Sequence, residues 1–153
     1  MERLTLQSLS PVEAKRIVER KPELDDRWLA DYPFEDELDP LRALAGSRDP
    51  DPIFTLYSIR ISEGDTAGGG IGFFGPPDDE GSVELGYGLV EVVRRRGFAS
   101  EALIAATRCG VQNGAKQVKA DTARDNLASQ RVLAKAGFTE VSRSDESVFY
   151  TFT

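Results

Sequence analysis

The sequence predicts an α/β domain of the α+β type: one domain with a mixed central sheet of about six to seven strands, flanked by helices. Three observations lead there. The chain has 153 residues, enough for one hydrophobic core but not for two domains of ordinary size. It is 40% hydrophobic and 29% charged, a globular rather than disordered balance. Short segments with strand periodicity alternate with helical ones, and Gly, Pro and Asn/Asp clusters punctuate them without an internal repeat or long linker.

Leu4-Thr5-Leu6 reads as a short first strand. Ser10 stands at an N-cap, Pro11 at the first helical position and Glu13 in the first turn of a helix reaching about Lys21. Residues 22–40 carry Pro22, Pro33 and Pro40 and eight acids against one base, Arg27. They predict broken helices and loops anchored by Trp28, Leu29, Tyr32 and Phe34. Leu41 to Ala45 makes a helical turn or two, closed by Gly46. Ile53–Ile61 is a strong strand, 62–67 a turn and Gly68–Phe74 the second strand of a hairpin, weak in propensity because of its glycines. Val83–Val90 alternates, with Val83, Leu85, Tyr87 and Leu89 on one face and Glu84, Gly86 and Gly88 on the other. A helix spans Ala99 to about Gln112 and ends at Asn113-Gly114. Gln117–Thr122 is a strand. Asp125/Asn126 cap a helix over 127–136 that Gly137 terminates, with Phe138 packing back. Thr139–Arg143 and Val148–Phe152 close the chain as an antiparallel pair.

Composition excludes several chemistries. The sequence has no His, so imidazole bases, Ser-His-Asp triads and His metal sites are out. A single Cys, Cys109, allows neither an intrachain disulfide nor a multi-Cys zinc site and fits a reducing cytoplasm. No metal is expected. Net charge is −7, which argues against nucleic acid as a partner. No apolar run is long enough to span a membrane, and the charges at Glu2, Arg3, Glu13, Lys15 and Arg16 leave no visible signal peptide. The charge is unevenly spread. Residues 1–93 hold 9 basic and 20 acidic side chains, and residues 94–143 hold 10 and 4. A basic block inside an acidic chain suits a local anionic ligand, although uneven surface decoration gives the same count.

The basic block opens with Arg94-Arg95-Arg96-Gly97-Phe98-Ala99-Ser100-Glu101, between a strand and a helix. Gly97 allows close approach. The N–H groups of the first helical turn, with no intrahelical partner, form an anion site suited to a diphosphate. Dinucleotide-fold and P-loop fingerprints are absent. About thirty residues on, Asn126, Ser129 and Gly137-Phe138 outline a short capped helix. Each stretch alone also reads as ordinary strand–helix punctuation.

Taken jointly, Glu84-Leu85-Gly86-Tyr87, Arg94-x-x-Gly97-x-Ala99-Ser100-Glu101-Ala102 and Asn126-x-x-Ser129 to Gly137-Phe138 resemble the GCN5-related N-acetyltransferase (GNAT) superfamily. In motif they are most similar to the branch of ribosomal-protein N-terminal acetyltransferases. The resemblance covers roughly residues 53–143 and implies a single acetyltransferase domain over 1–153. Residues 1–50 would supply acceptor-site strand and helices, 53–143 the sheet and cofactor-binding core, and 144–153 the closing strand. It further implies acetyl-CoA as co-substrate. The diphosphate would lie on the amides of Arg95, Arg96, Gly97, Phe98, Ala99 and Ser100, with Arg94 opening the loop. The pantetheine arm would pair along the strand near Leu89 and Val90, Asn126 would contact that arm, and Ser129 would lie near the thioester sulfur.

Acetyl transfer to an amine needs a neutral amine, a stabilised oxyanion and a proton for the departing thiolate. Without His, the base is a carboxylate, a water chain or the substrate itself. Glu84 is the first candidate, since it shares a face with Gly86 and Gly88 that leaves room for an acceptor; a solvated edge carboxylate is the plainer reading. Many GNAT members place a Tyr seven residues after the Asn; here that position is Leu133. Ser129 is then the candidate acid, or a first-turn residue bonding to the backbone. Tyr32, Tyr57, Tyr87 and Tyr150 are reserves, with Tyr87 expected in the core. A backbone N–H near Leu89 or Val90 suits the oxyanion. Glu91 stands where relatives often have Pro. Cys109 lacks a base partner, which favours direct transfer over an acyl-enzyme.

The expected function is therefore acetyl-CoA-dependent N-acetyl transfer to a primary amine, either a small molecule or a polypeptide N-terminus. The alternatives are a non-catalytic acyl-CoA-binding sensor and an interaction module using Trp28, Tyr32 and Phe34. Exposed strand edges would allow a homodimer.

Overall fold

Seven strands of the computed structural model form one sheet: β1 (Leu4–Ser8), β2 (Leu56–Ile61), β3 (Thr66–Phe73), β4 (Ser82–Leu89), β5 (Gln117–Ala123), β6 (Thr139–Arg143) and β7 (Ser147–Phe152). Their spatial order is β1-β2-β3-β4-β5-β7-β6. Among the described residues four α-helices flank it: α1 (Pro11–Glu19), α2 (Leu38–Ala45), α3 (Phe98–Gln112) and α4 (Leu127–Lys135). The structure describes residues 3–29, 32, 37–89, 94 and 96–153. The expectations for Phe34, Val90, Glu91 and Arg95 lie outside them. Neighbouring strands are antiparallel except β4 and β5, which run parallel. A crossover through α3 joins that pair, as parallel neighbours require.

Local chemistry sets the element ends. Ser10 and Glu13 form a reciprocal capping box on α1, with Pro11 at its start. β2 starts at Leu56, later than Ile53, because Asp51 Oδ1 accepts the N–H groups of Ile53 and Phe54 at 2.8 and 2.7 Å. That side chain holds the preceding residues in a turn. β3 starts earlier than expected, at Thr66 paired with Ile61. α2 is also longer than expected. Pro40 falls in its first turn, where an N–H has no intrahelical acceptor to lose. α4 ends as the sequence indicates: Gly137 has φ 96° and the Phe138 N–H donates to the Leu133 carbonyl at 3.0 Å.

The core lies between the sheet and the helices that flank it, with buried side chains from α1, α2, α3 and α4. Ile59, Leu103, Leu133, Val118 and Val148 are its largest fully buried side chains. Phe54 and Phe73 meet edge to face at 5.2 Å, and both approach Gly110 of α3. Tyr32 is buried and half-buried Trp28 packs on it at 5.7 Å between ring centres. That inward packing argues against the interaction-module alternative, which needs these rings on the surface.

Candidate active site

β4 and β5 stay together only at their beginnings, where Ser82, Val83 and Glu84 face Gln117, Val118 and Lys119. Beyond Glu84 they part, although β4 runs on to Leu89 and β5 to Ala123. The Glu84 carbonyl accepts the Phe74 N–H at 2.9 Å, toward the β3 side. By strand alternation the main-chain groups of Leu85, Tyr87 and Leu89 point the other way, into the gap. A cleft of about 520 Å³ fills this parting. Residues of both sheet faces line it, Ile71, Leu85 and Tyr87 from one and Gly70, Gly72 and Gly86 from the other.

α3 begins nine residues after β4 ends. Gly97, at φ 83°, is its N-cap, and no side chain caps the helix. Residues other than glycine rarely hold that φ. A Cβ there would also stand 3.0 Å from Arg3 Nη2. The first-turn amides of Phe98, Ala99 and Ser100 therefore face outward with the positive end of the helix dipole behind them. Arg94 and Arg96 are exposed beside them. Arg3, from the start of β1, braces this corner. It donates to the Arg96 carbonyl and the Glu101 carboxylate, both at 2.7 Å, and its guanidinium lies 4.5 Å from the Phe98 ring centre. Arg96 flanks the same ring at 5.0 Å. Sequence reasoning missed Arg3, whose partners are more than ninety positions away.

Across the cleft, Asn126 caps α4 by accepting the Ser129 N–H at Oδ1 (3.1 Å). This leaves the Nδ2 donor for a ligand. The Ser129 hydroxyl lies 2.8 Å from the Tyr87 hydroxyl, so a hydrogen bond joins β4 to α4 where the strands part. Burial pushes the Tyr87 phenol pKa above its ordinary value, and the Ser129 contact partly opposes this. Tyr87 is half-buried against the core, as expected, and it also lines the cleft. Its alternation with Leu85 identified the strand face, but not that the sheet opens there. Leu133, at the usual Tyr position, is fully buried and offers no proton.

Glu84 is exposed and lies outside the cleft lining, two residues from Gly86, which is within it. Glu37 at the N-cap of α2 and Asp121 of β5 do line the cleft. Sequence reasoning did not single out Asp121, and it met Glu37 only as one of the eight acids of residues 22–40, a run that suits either a cationic acceptor or a solvated helix face. Cys109 is half-buried in α3 against Asn113 and is not part of the lining. Burial, with Cys109 nearby, pushes the Tyr57 phenol up to about 12. Among the described residues no three His, Cys, Asp or Glu side chains group as a metal site, and no helix is long and apolar enough to cross a membrane.

Comparisons with known proteins agree with this architecture. A family model described as an acetyltransferase (GNAT) domain matches residues 3–139. An uncharacterized N-acetyltransferase of Bacillus subtilis strain 168, YjdG, is 34% identical over 79 residues. That match takes in 51% of this chain and 47% of the relative, so it spans about half the relative's length. A GNAT-family acetyltransferase from Bacillus anthracis superposes with a TM-score of 0.70 at 18% identity, covering 99% of this chain and 95% of the other. A spermidine N-acetyltransferase chimera from Vibrio cholerae and hSSAT gives 0.73 at 16%, covering 98% and 95%. The ribosomal-protein-S5-alanine acetyltransferase from Vibrio fischeri gives 0.70 at 14%, covering 99% and 93%. At these identities the solved structures speak for the fold, and the family model, spanning most of the sequence, speaks for descent. The chain belongs to the GNAT acetyltransferase family.

Proposed function

We propose that the protein is an acetyl-CoA-dependent N-acetyltransferase that moves an acetyl group directly to a primary amine, on a small molecule or a polypeptide N-terminus. One observation supports the reading: β4 and β5 part after Glu84 around a cleft, and the helix that follows β4 begins without a side-chain cap. These residues fit the co-substrate. The amides from Gly97 to Ser100 meet a diphosphate, with Arg94 and Arg96 adding charge. Arg95 and Val90 take the places the family resemblance gives them. The free edge of β4 up to Leu89 offers main-chain groups to an amide-bearing arm, and Asn126 Nδ2 reaches it from α4.

When bound, acetyl-CoA supplies an activated acyl carbon and a thiolate leaving group. The chain then has three tasks. A main-chain N–H at Leu89 or Val90 stabilises charge on the acyl oxygen, as preorganised donors do. Ser129, backed by Tyr87, delivers a proton to the departing sulfur. Glu84, exposed beside the cleft, draws the proton from the amine through a bridging water. The cleft holds no cysteine, so no acyl-enzyme is required.

A panel of primary amines incubated with protein and acetyl-CoA tests the reading. N-acetylated product detected by mass, with matching thiol release, is expected. Tight acetyl-CoA binding without product from any amine would establish the sensor alternative instead.

A further inference from the structure

The glycine pattern of β3 and β4 is the sequence feature that transfer chemistry leaves unexplained. Gly70 and Gly72 share one face of β3 and pair across to Gly88 and Gly86, so that face is a patch without side chains, and Gly70, Gly72 and Gly86 line the cleft. Three side chains lie on it. A Cβ at Gly72 would stand 2.4 Å from Leu56 Cδ2, and one at Gly86 would stand 2.9 Å from Phe74 Cζ. A Cβ at Gly70 would stand only 1.9 Å from Glu37 Oε1. The glycines are therefore a floor, and what rests on it is one carboxylate between two apolar groups.

Glu37 is placed unusually for a helix-start acid. It is the N-cap of α2, yet its carboxylate makes no capping bond to the helix. The carboxylate extends into the cleft, over Gly70. Its charge is felt at the buried Tyr32 hydroxyl, which also lines the cleft. Pro40, Leu41, Leu56 and Phe74 give that side of the cleft its apolar lining, beside the Tyr32 and Tyr57 side chains. We infer that Glu37, seated over Gly70, is the positioning residue for the acceptor's ammonium, and that the acceptor is a primary amine on an apolar body. The ammonium lies against Glu37 and the apolar body against Leu56 and Phe74. This inference rests on the N-acetyltransferase reading and adds the acceptor class to it.

The test compares wild type, Glu37→Gln, Glu37→Asp and Gly70→Ala with phenethylamine, leucine amide and spermidine as acceptors. Glu37→Gln is expected to raise KM for phenethylamine and leucine amide at least fivefold while leaving KM for acetyl-CoA within twofold. Gly70→Ala, which displaces the carboxylate without removing it, shifts the same constant the same way. Glu37→Asp, which keeps the charge, restores part of the loss. The wild type prefers the two apolar amines to spermidine. A rise in amine KM below fivefold in Glu37→Gln, an equal rise for acetyl-CoA, or a preference for spermidine overturns the inference. Calorimetric binding of phenethylamine to the CoA-loaded protein separates the two claims. Absence of turnover in the wild type defeats the transferase reading, whereas a Kd weakened fivefold by Glu37→Gln still supports the ammonium site, and an unchanged Kd removes it.

Discussion

Tyr87 and Ser129 share a hydrogen bond of 2.8 Å across the point where the sheet opens, and their roles in it differ. In the proposed reaction Ser129 faces the sulfur, so Ser129→Ala should lower kcat by about 10²-fold, the lower range for loss of a general acid. Tyr87→Phe keeps the ring and removes only the supporting hydroxyl, so a smaller drop is expected. Because burial raises the Tyr87 pKa, the phenol stays protonated past its usual value of about 10. Tyr87→Phe should therefore leave any alkaline limb of the kcat profile below about pH 10 in place; a shifted limb would show that the phenol titrates during turnover. Gly97 gives the sharpest test of the anion site. Its φ of 83° is closed to proline, fixed near −65°. Gly97→Pro should weaken acetyl-CoA binding at least about tenfold, roughly 1.4 kcal/mol, with the circular dichroism of the fold retained. Unchanged affinity would remove the diphosphate assignment.

At the scale of elements, the approach to the acceptor side is held by charge as well as by packing. Arg16 of α1 grips Asp26 with two hydrogen bonds of 3.0 and 2.8 Å, and Asp26 also accepts the Glu23 N–H at 2.8 Å. The Arg16 hydrogen bond holds the Asp26 pKa below the ordinary carboxylate range. A depressed folded-state pKa gives stability that is complete above the unfolded value of about 3.9 and is lost as pH falls through the folded one. Asp26→Asn should thus cost about 1–2 kcal/mol in urea unfolding at pH 7. As pH falls below the unfolded value the difference between wild type and Asp26→Asn should shrink, and a difference that stays constant with pH would contradict the pairing. Most elements were legible in the sequence because their signals are local: Ser10-Pro11 starts α1, and Gly137 ends α4. The misplaced ends were set by local features whose signal is ambiguous. Asp51 delayed β2 by bonding to the chain ahead of it, and Pro40 looked like a break although it sits where α2 can hold it.

For the whole molecule, the charge asymmetry acquires a geometry. The basic block of the sequence begins at the anion site proposed before α3, and Glu37, from the acidic stretch ahead of it, lines the cleft. Gly97, Asn126 and Ser129 were readable because a loop or cap demands those residue types. Arg3, Tyr87, Asp121 and Glu37 were not, because each acquires its position only through tertiary structure, from strand parting or from a partner distant in sequence. The central claim is direct transfer within one cleft that holds both substrates. Initial rates of thiol release, with acetyl-CoA and amine concentrations varied together, test it most directly. The account predicts intersecting double-reciprocal lines, the pattern of a ternary complex. Parallel lines, the mark of an acyl-enzyme, or thiol release indifferent to the amine would contradict it.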